Sequence, residues 1–295
     1  MEIGGAYPML YAFFDLAGRL RRDSITRQIA AALASGASGI AVLGLGTEVH
    51  KLGRDERRQL VEWTLGDVAG RAPVAVTVAD GNIPDMIESA RFAVRAGASW
   101  LILQPPRPPA SGADLIKFFG AVAHSVDVPI AIQNAPEFLG LGLSPKDLLA
   151  LNAAHENVRI VKAESAALTV AGVIAELDGR MKVFNGRAGF ELLDNLRAGV
   201  DGMIPGAETI DLQVAVERAW RAGDESRAEE LYRKLLPAVA FVMQGLNIFW
   251  LYGKLIAAER LGLAPSGNRI PCDVATPKGI AWAKRFAAEL GPLPA

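Results

Sequence analysis

Eight short apolar runs, each separated from the next by an amphipathic stretch, constrain the fold of this chain more than any other feature. They are Met9–Phe14, Gly39–Leu43, Val74–Ala79, Trp100–Leu103, Pro129–Ile132, Arg159–Val161, Lys182–Phe184 and Gly202–Ile204. Runs of roughly four to six residues that are apolar almost throughout suit strands covered on both faces, and these are spaced too widely for hairpins. Helical periodicity fills the gaps. Ser24–Ser35 sets Ile25, Ile29, Ala32 and Leu33 on one face, and Asp55–Val68 sets Leu60, Val61, Trp63 and Leu65 among charges. Ile83–Ala96, Ala113–Ser125, Pro145–Asn152, Ala166–Leu177 and Phe190–Ala198 behave alike.

Three junctions repeat one plan: Ser35-Gly36-Ala37, Ala96-Gly97-Ala98 and Ala198-Gly199-Val200. Each ends a helix on a glycine suited to the left-handed C′ position and leads straight into an apolar run. Asp23-Ser24 and Ser144-Pro145 read as helix starts. The alternation predicts an α/β chain with a (β/α)8 barrel over residues 1–222, a doubly wound open sheet being the second choice. No Gly-x-Gly-x-x-Gly follows the first run, which weighs against a dinucleotide-binding version of that second choice. Asp224–Leu236, Val239–Arg260 and Pro277–Leu290 read as further helices, so residues 223–295 are expected to form a C-terminal helical extension packed on the barrel.

Composition removes several functions. Lys and Arg total 31 against 32 Asp and Glu, which leaves no positive excess to bind a nucleic acid. The longest apolar candidate for a membrane span, Ala238–Ile256, is interrupted by Gln244, Asn247 and Lys254, so no span is expected. Cys272 is the single cysteine and His50, His124 and His155 are the only histidines, a poor supply for disulfides or a protein-built metal site. The N-terminal segment lacks the basic and apolar regions of a signal peptide. A soluble, cytoplasmic protein of a reducing compartment, with no protein-built metal site, is the expectation.

In a barrel, reacting groups come from the C-terminal ends of strands and the loops behind them. Lys162 stands at such an end, directly after the apolar Val158-Arg159-Ile160-Val161. Desolvation pushes a buried lysine toward its neutral amine, which can attack a carbonyl and form a Schiff base. A strand-end lysine can also snorkel to solvent or pair with a carboxylate such as Glu164, and position alone leaves these readings open. Gly44-Leu45-Gly46-Thr47 offers backbone N–H groups and a hydroxyl to an anion such as a carboxylate, or is a plain turn.

Taken together, these segments resemble the dihydrodipicolinate synthase / N-acetylneuraminate lyase family. Gly44-Leu45-Gly46-Thr47-Glu48, with Leu52 and Asp55-Glu56-Arg57 after it, resembles the family's Gly-Thr-Thr-Gly-Glu segment and its trailing helix. Gln104-Pro105-Pro106, Pro129 to Pro136, Val161-Lys162-Ala163-Glu164-Ser165, Phe184-Asn185-Gly186 and Gly199–Ile204 resemble its later strands in the same order. The resemblance covers roughly residues 7–222. It implies a (β/α)8 barrel with a C-terminal helical extension, a homo-oligomer (tetramer or dimer), and a class I aldolase-type lyase acting on pyruvate or a 2-keto(-3-deoxy) acid without a cofactor. Lys162 matches the family's imine-forming lysine and Gln133 stands at a second catalytic position. Gly46, Thr47, Arg107, Gly186 and Ile204 fall at substrate-binding positions.

Departures narrow the reading. Gln133 stands where the family has its proton-relaying tyrosine, and Pro106-Arg107-Pro108 replaces a second tyrosine. Phe138 and Leu139 take the places of an arginine and a threonine of the biosynthetic synthase. That synthase's activity is therefore not expected. An aldolase or dehydratase is expected in its place, with a keto-acid-binding protein lacking turnover as the alternative. Gln133 cannot move a proton, so Glu48, Glu137, Glu164 and His50 become the candidates for acid–base work.

Overall fold

The computed structural model describes residues 3–108, 110–264 and 266–295. Eight strands form one parallel sheet: β1 (Gly5–Ala6), β2 (Ile40–Val42), β3 (Val74–Val78), β4 (Trp100–Leu103), β5 (Ile130–Asn134), β6 (Val158–Ala163), β7 (Lys182–Asn185) and β8 (Gly202–Met203). Their order is β1-β8-β7-β6-β5-β4-β3-β2. The sheet curls until its ends meet, because the chain beyond β1 bonds to both: Met9 N–H donates to Pro205 O at 2.8 Å and Leu10 N–H to Ala41 O at 2.9 Å.

The first apolar run is the one strand misplaced by the sequence reading. Met9–Phe14 does not form β1; Gly5–Ala6 does, in register with Gly202 and Met203. Pro8 has no N–H to extend the ladder. Met9 still bridges both neighbours, while Phe14 leaves the sheet to pair with Leu20 and Gly267. The helix starts also differ. Arg22–Ser35 begins one residue before Asp23, which falls inside its first turn, whereas Ser144 does accept the Asp147 N–H as the expected cap. Gly36, Gly97 and Gly199 are left-handed at φ of 85°, 112° and 92°, as the repeated junction requires.

Period-2 alternation sorts each strand into outward residues under the helices and inward residues along the axis. Inside, Tyr7, Trp100 and Phe184 pack with ring centroids 5.2 to 5.9 Å apart, and Ala131, Ile160 and Ile204 fill beside them. One step further toward the strand ends the inward residues turn polar: Gln104 after Ile102, Gln133 after Ala131, Lys162 after Ile160. The apolar plug thus ends where the chemistry begins.

After the helix Ile210–Arg221 the chain continues as Glu225–Val242, Leu246–Leu261 (with a π-turn at Phe249–Gly253) and Pro277–Leu290. From sequence the first of these is expected to end at Leu236, before Pro237. The helix instead runs through that proline and stops before Gly245, because Leu235, Ala238, Val239, Phe241 and Val242 are all buried along it. Arg260 fastens this region to the end of β8, donating to Glu208 O at 2.5 Å and to Asp211 at 2.7 and 3.0 Å. No single helix among the described residues is long and apolar enough to cross a membrane.

Candidate active site

Strands β5, β6 and β7 place Gln133, Lys162 and Phe184 in one row, so Lys162 rises from the barrel axis between an amide and an aromatic ring. The lysine is 4% exposed. Its ammonium lies 3.1 Å from Glu164 Oε1, and Gln133 Nε2 donates to Glu164 Oε2 at 2.6 Å. One carboxylate therefore holds both groups. Room for it comes from the next strand: a Cβ at Gly186 would overlap Glu164 Oε1. Asn185 Nδ2, donating to Ala163 O at 3.0 Å, ties β7 to the backbone between Lys162 and Glu164.

Lys162 and Glu164 open into a cleft that also touches Gly46, Arg187 and Ile204. Of the residues inferred from sequence, Lys162, Gly46 and Ile204 thus share one space. Gln133 and Gly186 shape it from behind through Glu164. Thr47 does not face it: its hydroxyl donates to Leu10 O at 2.6 Å and its side chain is wholly buried. Gly44 N–H is likewise occupied by Met9 Sδ at 3.2 Å. Among the described residues, the N–H groups of Leu45 and Gly46 donate to no protein acceptor, and they are the part of this loop left for an anion. Arg107 is exposed on the loop after β4 and is absent from the cleft wall.

The four acid–base candidates separate. Glu164 alone enters the cleft. Glu137 is half exposed and accepts from Arg187 Nη1 at 2.6 Å. His50 packs against Trp250 with centroids 4.8 Å apart and the rings tilted by 41°, and burial followed by the Lys51 charge lowers its pKa. Glu48 is buried beneath the C-terminal helices between Lys51, 2.5 Å away, and Lys254.

Several wall residues escaped the sequence reading. Arg187 and Ala188, both at φ of 51°, form with Gly189 at 78° a left-handed turn that aims the arginine at the cleft. No residue type before Gly189 announced that turn. Phe138 belongs to a one-turn helix, Pro136–Leu139, and Met243, Leu246 and Phe249 arrive from the C-terminal helices. Distance along the sequence hides the last three, while Phe138 stands where the resemblance places an arginine of the biosynthetic synthase.

Residues 2–272 match the dihydrodipicolinate synthetase family. The chain belongs to that family. It is 30% identical over 281 residues to the 4-hydroxy-tetrahydrodipicolinate synthase of Methanospirillum hungatei JF-1, covering 92% of this chain and 94% of that one. YagE of Escherichia coli K12, named as a 2-dehydro-3-deoxy-D-gluconate aldolase, is 28% identical over 238 residues, or 79% of each chain. The solved structure of YagE in complex with pyruvate superposes with a TM-score of 0.89 at 24% identity, over 98% of this chain and 99% of that one. A Pseudomonas aeruginosa structure of the same family superposes at 0.91 and 24% identity, over 98% and 100%. Family membership makes this chain a class I aldolase-type lyase that works through a Schiff base with pyruvate or a 2-keto acid, on a fold of eight parallel strands and helices of the TIM-barrel kind.

Proposed function

We propose that Lys162 is the nucleophile and that the substrate is a 2-keto acid cleaved or dehydrated at the bonds beyond its carbonyl. The observation that carries this is the buried Lys162–Glu164 pair, 3.1 Å apart at the head of the cleft. Glu164 takes a proton from the ammonium, the amine adds to the keto carbon, and loss of water leaves a protonated imine. The imine accepts the electron pair released when a neighbouring C–C bond breaks, or when a C3 proton leaves ahead of a hydroxyl. Glu164, the sole cleft carboxylate among the described residues, accepts and returns those protons, while Gln133 holds it in place. The Leu45 and Gly46 N–H groups receive the keto-acid carboxylate, supported from behind by Met9 and Trp250, whose Nε1 donates to Leu45 O at 2.7 Å.

The same reading divides the chain into a barrel, 1–222, and a helical extension, 223–295, that roofs its mouth. It makes the protein a cytoplasmic homo-oligomer, with the exposed Leu16, Leu168, Ile270 and Val274 as apolar surface for subunit contacts. Reduction with borohydride in the presence of pyruvate, followed by peptide mass spectrometry, tests the central claim. A reduced pyruvyl adduct on Lys162 is expected. An unmodified Lys162, or an adduct on another lysine, refutes it.

A further inference from the structure

The cleft wall is built mainly from carbon. Met9, Leu45 and Ile204 line it from the barrel, and Phe138, Leu246 and Phe249 close over it. Its charged members are largely engaged: Lys162 with Glu164 at 3.1 Å, and Arg187 through Nη1 with Glu137 at 2.6 Å, which leaves Arg187 Nε as the side-chain donor on this wall without a hydrogen bond among the described residues. Polar groups that could have served a chain of hydroxyls are committed elsewhere. Thr47 Oγ1 donates to Leu10 O, Gly44 N–H to Met9 Sδ, and Gln133 Nε2 to Glu164, so that only the Oε1 of Gln133 stays unpartnered among these three. Arg107 is exposed away from the cleft. A polyhydroxylated tail placed here would lose water from several hydroxyls and find few partners, at about 1–3 kcal/mol for each one left unsatisfied. An apolar tail gains from the same wall.

We infer that the substrate is a 4-hydroxy-2-keto acid whose C4 substituent is apolar, an aryl or branched alkyl group, rather than a sugar acid. The inference rests on imine formation at Lys162. The acid's carboxylate meets the Leu45 and Gly46 N–H groups, its carbonyl carbon meets Lys162, and its tail lies on Phe138, Leu246 and Phe249. From the imine, Glu164 takes the C4 hydroxyl proton and the C3–C4 bond breaks, its electron pair passing to the imine nitrogen. An apolar aldehyde leaves. The remaining enamine takes that proton back from Glu164 at C3, and water hydrolyses the imine to pyruvate and free Lys162. The reverse direction adds pyruvate to the aldehyde.

The test compares pyruvate release from 4-hydroxy-2-oxo-4-phenylbutanoate and from 2-dehydro-3-deoxy-D-gluconate, with borohydride trapping of pyruvate run on the same preparation. The phenyl substrate is expected to have the higher kcat/KM by roughly 50-fold, the effect of burying one phenyl face. Phe138→Ser is expected to narrow that preference about tenfold; Phe138 is only partly buried on its short helix, and a melting curve checks that the variant folds. Equal or better use of the sugar acid overturns the inference, as does a protein that forms the pyruvate adduct yet leaves the phenyl substrate intact. A preference unmoved by Phe138→Ser also overturns the assigned wall. Failure to trap pyruvate at all refutes the Lys162 reading beneath it, and is distinguishable from those outcomes.

Discussion

Two buried lysines, Lys162 and Lys254, sit within one molecule at 4% and 5% exposure, yet their surroundings differ in the one respect that matters for chemistry. Among the described residues the Lys162 ammonium has a single partner, Glu164, and open cleft on its other side. Lys254 is enclosed: it contacts Glu48, donates to Ala12 O at 3.1 Å and lies 5.2 Å from the centre of the Phe14 ring. Burial lowers its pKa, opposed by Glu48. Burial alone therefore does not make a lysine a nucleophile. A carbonyl also needs a free approach path, and of these two only Lys162 has one.

Replacing each lysine in turn is the sharpest way to break this comparison. Lys162→Met is expected to lower turnover more than about 10⁴-fold and abolish the borohydride adduct while leaving thermal unfolding little changed. Lys254→Met is expected to do the opposite. It leaves Glu48 as a buried charge with Lys51 as its remaining partner, costing about 1–3 kcal/mol in denaturant unfolding, and leaves pyruvate trapping at Lys162 intact. If Lys254→Met erased the adduct instead, the division into reactive and structural lysines would be wrong.

The carboxylates extend the contrast. Glu164→Gln keeps the shape but loses the proton carrier, so kcat is expected to fall about 10²–10³-fold with the folded state preserved, read by steady-state kinetics beside circular dichroism. Gly186→Ala should reproduce part of that loss, since the added methyl meets Glu164 Oε1. An unchanged kcat in Gly186→Ala would detach Glu164 from the mechanism.

Glu208 gives the smallest effect. It is wholly buried, its carboxyl occupies the space a Cβ on Gly206 would need, and it accepts from the Tyr11 hydroxyl at 2.9 Å. Burial pushes its pKa up to about 7 from 4.5, while its backbone hydrogen bond, Tyr11 and Arg260 pull it down. The folded state thus holds a proton that the unfolded chain has released between those two values, so stability falls as pH rises through that window, by at most about 1.4 kcal/mol per unit. Unfolding curves at pH 5 and pH 8 should converge in Glu208→Gln. Parallel loss in the wild type and the variant would place the pH dependence elsewhere.

Much of the frame was legible because period and punctuation are local. Continuous apolar runs reported strands covered on both faces, and Gly36, Gly97 and Gly199 marked the returns to the sheet through a backbone conformation few other residues accept. Met9–Phe14 misled for an equally physical reason: apolarity signals burial, and the buried Phe14 pairs its backbone with Leu20 and Gly267 and sets its ring against Lys254 and Arg269 rather than between neighbouring strands. Lys162 could be picked out because a charge at the end of an apolar strand is costly unless it has a use or a partner. Thr47 and Arg107 could not be judged the same way. A hydroxyl's direction and a loop's distance from the cleft depend on atoms far along the chain, here Leu10 O in one case and the excursion after β4 in the other.

By itself, then, the sequence determined the alternation of strands and helices, the inward placement of Lys162 and the scarcity of metal ligands, all consequences of spacing and residue type. Tertiary structure decided which carboxylate meets the lysine, which lysine stays reachable and what the substrate's tail touches. Glu164, Arg187, Phe138 and Phe249 converge only because a curled sheet brings the ends of β5 to β8 together, and because helices from the far end of the chain fold back over them. Those contacts are through space, and no period in a linear sequence encodes them.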